Sequence, residues 1–351
     1  MKIKIGNRTV GDDLPVFIVA ELSANHLRNF NLAIKTIKAI KKAGADAVKL
    51  QTYTPDTITI NSKNKYFKIK QGTIWDGQTL YNLYKKAYTP WQWQPKLKAI
   101  AEDLGLICFS TPLDKTAVDF LQNLNVPAYK IASFEITDIS LIEYVASKNK
   151  PIIISTGIAK RSDIEEAVAA CRSMKNNQII LLKCTSIYPT PLGEVNLSMI
   201  PKLKKDFKCM VGISDHTLGN SVAIAAVALG ARLIEKHFIL DRKLKSPDAA
   251  FSLEPEEFKS LVKSLREVEK ALGDEKYRLT EKIKRARELM RSLFVVKDIK
   301  KGEMFTQENL RSIRPGNGLP PKYLKDILGK KAARNIKRGT PLKWDMVGGK
   351  K

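Results

Sequence analysis

Between Val16 and Leu240, eight short apolar runs alternate with stretches whose apolar residues recur at helical spacing. This rhythm sets the fold class, because strands separated by helices pair in parallel: each helix carries the chain back along the sheet before the next strand begins. The predicted strands are Val16 to Ser23, Ala47 to Tyr53, Ile107 to Pro112, Ala128 to Ser133, Pro151 to Gly157, Ile179 to Cys184, Met210 to His216 and Leu233 to Leu240. Between them, Leu32 to Ala43 aligns Ile34, Ile37, Ile40 and Ala43 on one helical face. Ser162 to Cys171 opens with Ser162 as N-cap and Glu165 completing a capping box. Eight such units predict an α/β fold whose strands close into a (β/α)8 TIM barrel. A doubly wound open sheet is the alternative. It fits less well, because no glycine-rich dinucleotide fingerprint follows the first strand and polar residues end nearly every strand.

Those polar ends carry the chemical information. Two of the three histidines, His216 in Gly212-Ile213-Ser214-Asp215-His216-Thr217 and His237 in Ile234-Glu235-Lys236-His237-Phe238, close two consecutive strands. One such histidine would read as a satisfied core residue; two at neighbouring strand ends converge on one barrel mouth and suggest a metal site. On the first strand Phe17, Val19, Glu21 and Ser23 share a face, and on the second Ala47, Lys49 and Gln51 do. Glu21 with Lys49 alone would read equally well as a buried ion pair. Thr111, Lys130, Ser133, Ser155, Ser186 and Ser214 also stand at strand ends. Any single hydroxyl there is ordinarily a turn residue, but hydroxyls and ammonium groups repeated around a barrel suit a phosphate or carboxylate, which needs several donors to leave water.

At 351 residues the chain exceeds one ordinary core and matches a barrel of roughly 250 residues plus a small domain. The expected boundaries are a barrel over 1–280, a charged connection over 281–291 and a second domain over 292–351. With 44% hydrophobic and 28% charged residues the composition is globular, and no apolar run approaches the roughly 20 residues that span a bilayer. The start lacks the pattern of a secretory signal, so a cytoplasmic location is expected. Cys108, Cys171, Cys184 and Cys209 form no CxxC pair, so neither disulfides nor structural zinc is expected. The formal charge of +25 is spread along helices and turns without interleaved stacking aromatics. It reads as a solvated surface, not a nucleic-acid footprint, and it would draw in an anionic small substrate.

The segments Ala20-Glu21-Leu22-Ser23-Ala24-Asn25-His26, Lys49-Leu50-Gln51-Thr52-Tyr53, Phe109-Ser110-Thr111-Pro112, Tyr129-Lys130-Ile131-Ala132-Ser133, Cys184-Thr185-Ser186-Ile187-Tyr188-Pro189, Ser214-Asp215-His216 and Glu235-Lys236-His237-Phe238 together closely resemble the bacterial and archaeal sialic acid synthases. The likeness covers nearly the whole chain. Ser292 to Val347, with Asp298-Ile299-Lys300-Lys301-Gly302-Glu303 and Arg314-Pro315-Gly316-Asn317-Gly318, resembles the antifreeze-like (SAF, β-clip) domain of the same enzymes.

The resemblance implies a metal-assisted condensation of phosphoenolpyruvate with an open-chain amino sugar, releasing phosphate by C–O cleavage. It implies that His216 and His237 hold a divalent metal, manganese by preference with magnesium or cobalt as alternatives. It carries phosphoenolpyruvate contacts onto Lys49, Thr111, Lys130, Ser133, Ser155, Ser186 and Ser214, where Ser186 replaces the asparagine common in neuraminate enzymes. Sugar contacts fall on Gln51, Tyr188, Asp248 and Arg314, the last reaching a partner subunit's barrel in a domain-swapped homodimer. Glu21 either manages protons, including those of the attacking water, or only positions the sugar. His26 is expected to support Glu21 or touch substrate, not to bind metal.

Gly72-Thr73-Ile74-Trp75-Asp76-Gly77, Leu80-Tyr81, Tyr84 and Thr89-Pro90-Trp91-Gln92-Trp93 look like the pseudaminic branch of this family, whose acceptor is 2,4-diacetamido-2,4,6-trideoxy-altrose. A plain packing role for these aromatics is the alternative. Competing functions are an N-acetylneuraminate synthase using N-acetylmannosamine, a related barrel acting on a sugar phosphate, and a non-enzymatic sugar- or RNA-binding protein.

Overall fold

The computed structural model describes residues 1–70, 72–274 and 276–349. They form two compact units, Met1–Gly273 and Asp274–Lys351.

In the first unit, β1 (Lys2–Ile5) and β2 (Arg8–Gly11) make an antiparallel hairpin. The next eight strands are β3 (Phe17–Glu21), β4 (Ala47–Thr52), β5 (Ile107–Pro112), β6 (Tyr129–Ile131), β7 (Ile152–Ser155), β8 (Ile179–Cys184), β9 (Met210–Asp215) and β10 (Leu233–His237). They pair in parallel in chain order, and β10 returns to β3 to close the barrel. All eight expected strands are present, most of them one to three residues shorter at an end. The trimmed residues, such as Ser133, Gly157 and His216, leave the ladder and turn into the loops that form the mouth.

Residues on the outer faces of the strands, such as Ile18, Val48 and Ile154, pack against the helices. On the inner faces the first residues of the strands, among them Phe17, Ala47, Ile153, Ile180, Met210 and Leu233, form a separate apolar cluster with Ile3, Ile5 and Val10 of the hairpin. The hairpin therefore plugs the N-terminal end of the barrel. Its signal is present in the sequence, as lysine alternating with isoleucine before Gly6-Asn7. One layer above this plug the inner faces change to Glu21, Lys49, Lys130 and Glu235, all buried.

The helix Phe30–Ala43 starts two residues before its predicted Leu32, because the Asn29 side chain accepts the Leu32 N–H and sets the first turn. It buries Ala33, Ile37, Ile40 and Ala43, at about 1.5–3 kcal/mol for each large aliphatic side chain. The predicted capping box at Ser162 is corrected. The helix is Arg161–Ser173, and the Asp163 carboxylate accepts the Lys160 N–H at 2.8 Å, so the cap lies two residues upstream. No helix among the described residues is long and apolar enough to cross a membrane.

The second unit pairs β11 (Ser292–Val295) with β12 (Leu310–Ile313) around Leu293, Val295, Phe305, Ile327, Ile336 and Leu342. Gly318 is required by close approach: a Cβ there would lie 2.3 Å from the Leu293 carbonyl oxygen. The charged stretch before it is helical over Glu281–Arg287.

Candidate active site

Period-two alternation puts Glu21, Lys49, Lys130, Ser214 and Glu235 inside the barrel, and their side chains meet there. Lys49 Nζ lies 2.9 Å from Glu21 Oε2 and 3.1 Å from Glu235 Oε1. Lys130 Nζ donates to both oxygens of Glu235, at 2.8 and 3.1 Å, and the Ser214 hydroxyl adds a third donor at 3.0 Å. Gln51 Nε2 donates to Glu21 Oε1 at 3.1 Å and to Ser23 Oγ at 2.9 Å. The Thr111 hydroxyl accepts from Lys49 at 3.5 Å.

The two carboxylates differ electrostatically. Burial pushes both upward, but around Glu235 the Lys130 and Lys49 ammonium groups outweigh it and hold the carboxyl well below its ordinary range. Glu21 has only Lys49 close by and feels the Glu235 charge as well, so burial prevails and its carboxyl rises to about 7. Lys49, flanked by both carboxylates, is raised despite burial; Lys130 is lowered because burial exceeds what Glu235 returns.

Beside this cluster lies a cradle of hydroxyls. The Gly157 N–H donates to Ser133 Oγ at 3.0 Å, and a Cβ on Gly157 would stand 2.2 Å from Ser186 Oγ and 2.8 Å from Ser133 Oγ. Glycine therefore keeps open the space these groups share. The Ser155 hydroxyl is buried with no hydrogen-bond partner, an uncommon state that suits a group reserved for a ligand.

The rings of His216 and His237 have centroids 5.3 Å apart. His216 Nδ1 donates to the Thr185 carbonyl at 3.2 Å, which leaves Nε2 with its lone pair. His237 Nδ1 is buried and accepts no hydrogen bond, with Asp248 Oδ2 3.8 Å away. Two imidazoles with free ring nitrogens are a donor set suited to a divalent transition metal. Among the described residues no group of three or more His, Cys, Asp or Glu side chains could enclose an ion, so further ligands would come from water or substrate. Asp248 also accepts the Ala24 N–H at 3.3 Å, and burial raises its carboxyl against the opposing Ser23 and Ala24 donors.

An aromatic wall flanks the histidines. Tyr188 packs 4.6 Å from His216 and 5.0 Å from Phe251, and Phe251 packs 4.8 Å from His237. Trp75 reaches Tyr188 at 5.5 Å from the long connection after β4 and donates its indole N–H to the Pro247 carbonyl at 3.0 Å. Three other aromatics of that connection pack the scaffold: Trp93 against His26 and Phe30, Trp91 against Phe120, Tyr84 against Tyr53.

All the expected site residues of the first unit thus gather at one mouth. Arg314 belongs to the second unit, where its side chain is exposed ahead of a cis Pro315. Of the two roles expected of His26, support of Glu21 is corrected. Its Nε2 bonds Thr89 Oγ1 at 3.0 Å and its Nδ1 accepts the Arg28 N–H at 2.9 Å, so it fastens the loop after β3 to the segment before Trp91 and does not support Glu21. Four residues of the site escaped the sequence reading. Glu235 shares the inner face of its strand with His237, so alternation is the signal that marks it, whereas Phe251 follows the last strand in a loop with no periodicity. Cys184, buried with its Sγ 3.9 Å from His216 Nδ1, lines the same mouth. Glu135, on the turn after β6, is pushed up to about 7 by burial. A glutamate two residues after Ser133 was the available signal.

The NeuB family profile matches residues 36–277, and the SAF domain profile matches residues 290–348. The chain belongs to the NeuB family. Among NeuB family relatives, the pseudaminic acid synthase of Campylobacter jejuni is 48% identical over 97% of this chain and 98% of its own length. The pseudaminic acid synthase of Helicobacter pylori is 49% identical over 95% and 98%. A solved NeuB-like structure, the N-acetylneuraminic acid synthetase of Leptospira borgpetersenii in complex with citrate, superposes with a TM-score of 0.73. It is 34% identical and covers 82% of this chain and 95% of that one.

Proposed function

We propose that this chain is a transferase that condenses phosphoenolpyruvate with 2,4-diacetamido-2,4,6-trideoxy-altrose and water, giving pseudaminic acid and phosphate. One observation carries the chemistry: two histidines with free ring nitrogens share a mouth with a lysine-carboxylate cluster and a hydroxyl cradle. The aromatic wall of Trp75, Tyr188 and Phe251 supports the acceptor, since a methyl-bearing, twice acetylated sugar presents more apolar surface than a polyhydroxylated one.

In this reading Lys49, Lys130, Thr111, Ser133, Ser155, Ser186 and Ser214 hold the phosphate and carboxylate of phosphoenolpyruvate, in the space that Gly157 leaves open. Gln51, Tyr188 and Asp248 orient the open-chain sugar so that its aldehyde carbon faces C3 of the enolpyruvyl group. The new C–C bond forms there, and positive charge develops at C2. Water adds to C2 and gives up a proton, the alkoxide left on the former aldehyde carbon takes one up, and in this reading Glu21 is the acceptor for the water's proton: burial has raised its carboxyl to about 7, where a base is most useful. The resulting hemiketal phosphate breaks its C2–O bond and releases phosphate. Synthases of the NeuB family are metal-dependent. Here His216 and His237 would hold the ion, manganese in this proposal, whose chemistry is Lewis-acid polarisation of the aldehyde oxygen. We place the enzyme in the cytoplasm, where four free, buried cysteines stay reduced.

The test measures phosphate release with the trideoxy diacetamido sugar against N-acetylmannosamine, using phosphoenolpyruvate labelled with 18O in the bridging position. Preference for the former, with label in the phosphate, is expected. Preference for N-acetylmannosamine would make the chain a neuraminate synthase, and label retained in the sugar would exclude C–O cleavage. For the proposed domain-swapped homodimer, mixing Arg314→Ala with His237→Ala chains should restore about a quarter of wild-type activity, because half the dimers are mixed and each has one intact site. No recovery on mixing would place Arg314 in its own chain's site.

A further inference from the structure

Asp215 and Lys236 each precede one of the two histidines. Alternation turns both side chains to the outer face of the barrel, the face on which Ile213 and Ile234 pack against the helices. They stand opposite each other as the last residue pair joining β9 to β10. Beyond this pair the ladder no longer ties the His216 segment to its neighbour. Lys236 Nζ donates to Asp215 Oδ2 and to the Thr217 carbonyl, both at 2.6 Å. Asp215 Oδ1 in turn accepts the Thr217 N–H at 2.9 Å and its hydroxyl at 2.7 Å. The two charged side chains are 0% and 1% exposed. His216 is thus the middle residue of a turn whose two ends are both fastened to Lys236, the residue next to His237.

A buried ion pair contributes little net stability compared with apolar residues of the same volume, because desolvation offsets the attraction. What it supplies here is a fixed geometry where backbone pairing has ended. We propose that Asp215, Lys236 and Thr217 form a positioning clamp that holds His216 and His237 at metal-binding separation from behind the sheet. The clamp rests on the reading that these two histidines hold the divalent ion. Groups that orient metal-binding imidazoles typically change affinity by about 10–100-fold when lost.

Calorimetric titration of the metal-stripped full chain with Mn2+ tests this, alongside thermal unfolding of the same samples. The Asp215→Asn/Lys236→Met double variant, which removes both charges together, should bind Mn2+ at least about tenfold more weakly than wild type. Thr217→Val should weaken binding in the same direction with little change in melting temperature. Affinities within twofold of wild type in both variants, with only the melting temperature lowered, would overturn the clamp and leave a purely structural pair. If the double variant does not fold, Thr217→Val and amide exchange in the wild type decide. Residues 214–217 should be equally protected with and without Mn2+; protection that arises only with Mn2+ would show the ion organising the turn and overturn the clamp. His237→Ala separates the two ideas. Undiminished Mn2+ binding in that variant removes the metal assignment itself, and the clamp with it.

Discussion

Glu21 and Glu235 share one counter-ion, the Lys49 ammonium, at 2.9 and 3.1 Å, yet their carboxyl groups are shifted in opposite directions. Lys130 makes the difference, since it bonds Glu235 alone. Glu235 is therefore a permanent anion that neutralises the floor of the site, while Glu21 is free to exchange a proton.

The asymmetry separates stability from catalysis. Glu235→Gln leaves two buried ammonium groups short of a carboxylate and should destabilise the fold by about 3–5 kcal/mol. Glu21→Gln should leave stability near wild type at pH 7. Its carboxyl, raised from 4.5 to about 7 in the fold, contributes stability that is fully present below pH 4.5 and is lost as pH climbs to about 7, so Glu21→Gln should gain on wild type across that window and little further above it. Denaturant unfolding at pH 5 and pH 8 checks both. Equal losses in the two variants would contradict the assignment.

Gly157→Ala fills the hydroxyl cradle. With a Cβ 2.2 Å from Ser186 Oγ, the space for an anion closes while the surrounding strands remain. The KM for phosphoenolpyruvate should rise by about tenfold or more, with the sugar KM changing far less. Steady-state kinetics with each substrate varied in turn reads the split.

Trp75→Ala should erode acceptor discrimination. Apolar contacts worth about 1–3 kcal/mol correspond to a 10–200-fold preference, so the kcat/KM ratio of the trideoxy sugar over N-acetylmannosamine should fall by about tenfold. An unchanged ratio would assign Trp75 to loop packing alone.

His26 predicts an acid limb in stability. Burial, with the Arg28 charge adding to it, lowers its pKa to about 4, so between pH 6.5 and about 4 the unfolded chain takes up a proton that the folded chain refuses. Stability is therefore present above the unfolded pKa and falls as pH drops through this window, by on the order of 2–3 kcal/mol. His26→Gln should flatten that part of the profile, measured by urea unfolding from pH 4 to 7.

The sequence by itself determined the number and order of the barrel strands and which residues face inward. It also set the two histidines at consecutive strand ends, because period-two alternation and βα rhythm are local properties that survive without the fold. Only the tertiary structure decided the pairings. Lys130 and Glu235 lie 105 residues apart and meet across the barrel interior, and Phe251 reaches His237 from an irregular loop. His26 turns to Thr89 and away from Glu21. Each of these depends on how far the closed strands are staggered and where each loop is fastened. Those are distances through space, and no spacing along the chain encodes them.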